Sequence, residues 1–122
     1  MKGVFKKKMR VEEIRVLEGA DQYLYNLKLR IIKFNEYISQ GKELESLKLT
    51  TEILEGLEYL IKGIKLTRKS QKKKIKIDKL EKFLDKLLDG LKNNNFTILN
   101  KLFNLEIIPI LDKIHEDIKS IL

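Results

Sequence analysis

From Leu17 to Ile38 apolar residues recur in an unbroken 3,4 alternation: Leu17, Ala20, Leu24, Leu27, Ile31, Phe34 and Ile38. Three heptads of that rhythm restrict the segment to a helix with a buried seam. Started near Met9 and ended at Ser39, Gln40 and Gly41, the helix is a rod of about 45 Å at 1.5 Å per residue. Gly41 suits the left-handed position that closes a helix. Val16, Tyr23, Ile32 and Tyr37 broaden the stripe, and a stripe that wide meets more than one neighbour.

The stretch Leu47 to Leu66 repeats the pattern with Leu47, Leu54, Leu57, Ile61 and Ile64; Thr50 fills the missing place, and Ile53 and Leu60 widen the seam. Gly56 and Gly63 sit one heptad apart on one flank. Each costs about 0.8 to 1 kcal/mol against Ala in a helix interior. Two such costs in one helix predict that a backbone or a bulky side chain, such as a Tyr, packs close against that flank. The loop at Gly41 is short, so these two helices form an antiparallel hairpin.

The run RKSQKKK then breaks the apolar pattern, and its like charges favour a solvated connection. A third helix follows on Ile77, Leu80, Leu84, Leu87 and Leu91, with Phe83 and Leu88 alongside, and Asn93, Asn94 and Asn95 end it. Asn95 or Thr97 can cap a fourth, which carries Leu99, Leu102, Phe103, Ile107, Leu111, Ile114, Ile118 and Ile121. Pro109 interrupts it: the missing N–H and the clash with the carbonyl of residue 105 predict a bend between Leu105 and Pro109. No segment has the period of a strand. The expectation is all-α, an antiparallel four-helix bundle formed by residues 9–122, with residues 1–8 as a basic arm. The phrases VLEGA, ILEGL and LLDGL, at 16, 53 and 87, echo one another. They are shared helical grammar, because a repeat boundary would fall inside a continuous heptad.

Composition narrows the chemistry. Among 122 residues there is no Cys, which removes disulfides, thiolate zinc sites and cysteine nucleophiles and makes a cytoplasmic location the economical expectation. No apolar run approaches a membrane span, and Met1 to Arg10 lacks the apolar block of a signal peptide. The net charge of +8 is uneven: residues 2–10 hold +5 and residues 62–79 hold +8, so the remainder carries −5.

Two phrases, ILEGLEYLIKGIKLT at 53–67 and NNFTILNKLFNLEIIPILDKI at 94–114, resemble a family of short all-helical Firmicutes proteins classed as a domain of unknown function. The matching positions are Glu55, Gly56, Leu57, Tyr59 and Leu60, then Glu106, Ile107, Ile108, Pro109, Ile110 and Leu111. Tyr59 stands where the family often has Trp, and Asn100 where an acidic residue is usual. The resemblance implies a compact helical domain without an assigned activity. Length and layout alone are similar to flagellar export chaperones of the FliS type, whose N-terminal motif is missing here.

The single histidine, His115, follows Asp112 by three residues. Di-iron bundles use two such carboxylate and imidazole pairs plus two further Glu, and this chain has one, so both residues are expected at the surface. No second His is available to serve a Ser or Thr nucleophile, and the glycines do not form a phosphate loop. The expectation is no enzyme, no cofactor and no metal.

The leading functional expectation is a non-enzymatic protein-interaction module, possible as a homodimer, with Tyr23, Tyr37, Gly56, Tyr59 and Gly63 as the candidate partner surface. The alternative is a nucleic-acid-associated accessory protein that uses the basic 65–79 segment. Arg68, Lys69, Lys72, Lys73, Lys74 and Lys76 would meet phosphates there without reading sequence, since the run has no interleaved aromatic residue. A weaker alternative is an export chaperone that holds an amphipathic client segment.

Overall fold

The structure is a computed structural model that describes residues 9–122; the expected arm at residues 1–8, with Val4 and Phe5, lies outside the described residues. Helix α1 spans Val11–Ser39, α2 Glu43–Leu66 and α3 Asp78–Lys92. A fourth rod follows, made of α4 (Phe96–Lys101), a π-helical turn (Leu102–Glu106) and α5 (Ile107–Ile121). No strand occurs among the described residues, and the all-α four-helix expectation holds.

The first seam packs as its spacing predicts. Leu17, Ala20, Leu24, Leu27, Ile31 and Phe34 are all buried, and Ile38 is half-buried. Gly41 ends the helix with φ +72°, while Lys42 N–H donates to Tyr37 O at 2.8 Å and Gly41 N–H to Ile38 O at 3.1 Å, a Schellman closure. The same closure ends α3. Asn94 takes φ 48°, tolerated by an Asn, and Asn95 N–H reaches Gly90 O at 2.9 Å. The Asn95 side chain then accepts from Ile98 N–H at 3.1 Å, so one three-Asn run stops a helix and caps the next.

Two seams differ in detail from the sequence reading. In α2 the buried residues are Ser46, Thr50, Ile53, Gly56, Leu57, Leu60, Ile61 and Ile64, so Leu57, Ile61 and Ile64 hold the expected seam while Leu47 and Leu54 are half-buried beside it. Ser46 and Thr50 can face the core because their hydroxyls donate within the helix, to Glu43 O and Ser46 O, both at 2.7 Å. In α3 the buried line is Leu80, Phe83, Leu87 and Gly90, and Leu84 and Leu91 flank it. Phe83 faces inward because Phe103 awaits it at 6.1 Å between ring centroids, and Phe103 in turn lies 4.5 Å from Phe34. Those three rings tie α1, α3 and the fourth rod together.

In place of the bend expected between Leu105 and Pro109, the structure has a π turn at Leu102–Glu106, after which α5 runs on through Pro109. Ile107 N–H bonds to Leu102 O, five residues back, which inserts one extra residue immediately before the proline. The rod absorbs a residue that cannot donate without ending.

The connection after α2 is more ordered than a solvated charge run. A 3₁₀ turn at Arg68–Ser70 leads to Gln71, whose buried amide donates to Ile64 O and Thr67 Oγ1, both at 3.0 Å, and accepts from Ile75 N–H at 2.9 Å. Ile75 and Ile77 are buried and plug the core on either side of an exposed Lys76. Gln71 thus joins the Thr67 hydroxyl on the Ile64 carbonyl at the end of α2 and fixes the loop that carries the lysines.

Candidate functional site: a tyrosine corner, a basic loop and a buried histidine

Gly56 is a point of close contact between α1 and α2. A Cβ built there would lie 2.5 Å from the Tyr23 hydroxyl, 2.7 Å from Leu27 Cδ2 and 3.0 Å from Tyr23 Cε2. The predicted close approach of a Tyr to this flank is what the structure contains. Gly63 is one heptad further along, with Val16 Cγ1 at 3.3 Å from such a Cβ, a milder version of the same contact. Tyr23 rests in the Gly56 notch and holds Tyr59 edge-on, with ring centroids 5.7 Å apart at 72°. Arg30 lies over the Tyr23 ring at 5.7 Å and reaches Glu52 at 3.9 Å. Tyr23, Arg30, Glu52, Glu55 and Tyr59 together line an open cleft on the α1·α2 hairpin.

Of the candidate partner residues, the structure joins Tyr23, Gly56 and Tyr59. Gly56 is buried beneath Tyr23, so its part is to admit that ring rather than to meet a partner. Tyr37 lies two heptads up α1, about 21 Å from Tyr23 along the axis. It is half-buried between Lys33 and Lys42, at 5.1 and 5.8 Å from its ring, and does not belong to the corner.

The six basic candidates, Arg68, Lys69, Lys72, Lys73, Lys74 and Lys76, are all exposed on the loop that Gln71 pins. Lys74 Nζ donates to Arg68 O at 2.6 Å. Arg68 and Lys69, at the C-terminal end of α2, also meet the negative pole of the helix, a stabilising role that requires no ligand.

His115 corrects the sequence reading. Asp112 is exposed as expected, but His115 is buried, 5 % exposed, between α1 and α5. Its Nε2 lies 2.7 Å from Asp21 Oδ1, in contact but out of line for a hydrogen bond, and both atoms are screened from solvent. Lys28 Nζ lies 3.1 Å from His115 Nδ1 and 2.6 Å from Asp112 Oδ1. An ammonium group only donates, so Nδ1 offers its lone pair to Lys28 and the ring proton sits on Nε2, facing Asp21. The imidazole is therefore neutral. Burial lowers its pKa below the usual 6.5, and the nearby Lys28 charge lowers it further against the opposing pull of Asp21. The Tyr25 ring closes the site edge-on at 4.6 Å, and its hydroxyl accepts from Lys119 Nζ at 2.8 Å.

The sequence held a signal for this placement. His115 stands beside Ile114 and four residues after Leu111, on the flank of the last seam, while Asp21, Tyr25 and Lys28 share one face of α1 at 4,3 spacing. A polar residue on that flank becomes affordable only when a partner 87 residues away in the chain supplies the bond.

The hairpin, the Gly56 notch and the pinned basic loop define a small all-helical domain whose exposed features are an aromatic corner and a lysine surface. Residues 15–117 match a family described as a domain of unknown function (DUF8042), and the chain belongs to that family. Both phrases that carried the resemblance lie inside the matched span. No curated protein and no solved structure matches the chain. Among the described residues no helix is long and apolar enough to cross a membrane, and no group of three or more His, Cys, Asp or Glu is placed to hold a metal ion.

Proposed function

We propose that this domain is a non-enzymatic protein-interaction module that engages its partner through the tyrosine corner of α1 and α2. The observation that carries the reading is Tyr59, 65 % exposed yet held edge-on by Tyr23, with Arg30 beside them. Tyr and Arg are enriched among the residues that dominate interface energies, and a ring already held in place loses little entropy on binding. The burial of His115 supports the non-enzymatic part, since the ring is screened from any substrate and its Nδ1 is held by Lys28.

The test is quantitative affinity capture from cells of the source organism with the wild-type chain and Tyr59→Ala as paired baits. Tyr59 is exposed, so the variant keeps its fold. A protein retained by the wild type and lost on Tyr59→Ala supports the proposal, and equal recovery refutes it. Light scattering at two concentrations separates a second copy of the chain from a different partner.

A second reading is favoured by the Gln71 clamp, which presents the loop lysines in a fixed arrangement. It takes the domain as an accessory protein that contacts nucleic acid through residues 65–79. An electrophoretic shift with non-specific DNA and RNA tests it, and absence of a shift at low salt removes it.

A further inference from the structure

A second cleft lies on the other side of the bundle, between α3 and α5. Its floor is Pro109, Ile110 and Ile114, and its walls carry Lys76, Lys79 and Lys82 from the α3 side and Lys113 from α5. It continues along the helices past Lys82 and Pro109 to Phe83, Lys86 and Leu105, the last of these 66 % exposed. The groove is therefore elongated, apolar at its base and cationic along its rim. Lys79, Lys82 and Lys86 follow i, i+3, i+7 spacing, one face of α3 over two turns, about 10 Å.

Two of the rim charges are already paired, Lys113 with Asp117 at 3.2 Å and Lys86 with Glu106 at 3.4 Å. Lys76, Lys79 and Lys82 are exposed and have no ion pair among the described residues. The acid among the remaining lining residues, Asp78, sits at the first position of α3.

Their position separates these lysines from the loop lysines. Arg68 and Lys69 stand at the C-terminal end of α2, where a cation relieves the helix dipole; Lys76 and Lys79 stand at the N-terminal end of α3, where a cation opposes it. Helix stability therefore accounts for the first group and not for the second. An incoming carboxylate would be favoured by both the lysines and the helix end.

We infer that the α3·α5 groove docks an acidic amphipathic helix of a partner protein, with its apolar stripe on Ile110, Pro109 and Leu105 and its carboxylates along Lys76, Lys79 and Lys82. A single phosphate or carboxylate would use one lysine and leave the stripe unmatched. A duplex nucleic acid would use the lysines and leave the apolar floor bare. A helix that carries both features matches the whole length of the groove. The inference rests on reading the chain as an interaction module but uses a different face, so loss of binding at Tyr59 and loss at the groove are separable outcomes.

The test is fluorescence anisotropy with a labelled helical peptide of about 16 residues that carries Glu at i, i+3 and i+7 beside a Leu stripe. The full chain should bind it saturably, and the complex should weaken as salt rises from about 0.05 to 0.3 M. Lys79→Glu/Lys82→Glu should weaken it by about tenfold or more, and a Leu→Ser version of the peptide should lose as much. Lys79→Gln/Lys82→Gln serves as the second variant should charge reversal disturb the fold, as read by circular dichroism, and Tyr59→Ala should leave peptide binding unchanged. No saturable binding, equal binding by both groove variants, equal binding of the Leu→Ser peptide, or equally tight binding of a short DNA duplex would each overturn the inference.

Discussion

Replacing Gly56 by Ala sets two well-measured effects against each other. In a helix interior Gly→Ala contributes about 1 kcal/mol of stability through propensity alone. At Gly56 the added methyl carbon would stand 2.7 Å from Leu27 Cδ2 and 2.5 Å from the Tyr23 hydroxyl. Tyr23 can swing because its ring is only half-buried, but Leu27 is fully buried and has nowhere to go. Overpacking of that kind costs about 1 to 3 kcal/mol, so the net effect is a loss of about 0 to 2 kcal/mol. Gly19 is the internal control. It lies in α1, is exposed, and a Cβ there meets nothing within 4 Å. Gly19→Ala should gain close to the full propensity term, about 1 kcal/mol. The two substitutions, chemically identical, should therefore separate by about 1 to 3 kcal/mol in urea unfolding and carry opposite signs in the melting temperature. Placing Gly56→Ala in a Tyr23→Ala background removes two of the three contacts and should recover part of the loss. If Gly56→Ala stabilises the chain as much as Gly19→Ala does, Tyr23 does not occupy that notch and the hairpin packing described above is wrong.

Other perturbations follow from the same contacts. Gln71→Ala leaves the buried Ile75 N–H without a partner, while the Thr67 hydroxyl stays on the Ile64 carbonyl, and should cost about 1 to 3 kcal/mol in denaturant unfolding, more than an ordinary loop substitution. Because the folded state holds His115 neutral, with its pKa below 6.5, the unfolded chain binds the proton first. Stability should therefore fall as pH drops below about 6.5, by at most about 1.4 kcal/mol per unit, and level off once pH passes below the folded pKa. His115→Gln can give an N–H to Asp21 and accept from Lys28, so it should keep the fold while losing that part of the pH dependence, as parallel urea titrations would show. Phe103→Ala removes the ring shared by Phe34 and Phe83 and should cost about 3 to 5 kcal/mol by the same assay.

The parts of this fold that were legible in the sequence are those set by short-range repetition. The α1 seam, the Gly41 stop and the Asn95 cap depend on residues within a turn or two of each other. The crowded flank of Gly56 was legible for a different reason, since a helix tolerates two spaced glycines at a cost only when something needs the room. What escaped depends on partners distant in the chain. Phe83 displaces Leu84 from the seam because Phe103 lies opposite, and Ser46 enters the core because its hydroxyl turns back to Glu43 O. His115 is buried because Asp21 and Lys28 come to meet it, and the lysines of α3 line a groove only once α5 supplies the floor.

A photo-crosslinking residue in place of Tyr59, with the same residue in place of the exposed Leu88 on α3 as comparison, tests the interaction reading most directly in the cells where the protein works. The tyrosine corner predicts a discrete protein adduct from position 59 that position 88 does not give. Equal adducts at both positions, or none at position 59, would contradict it.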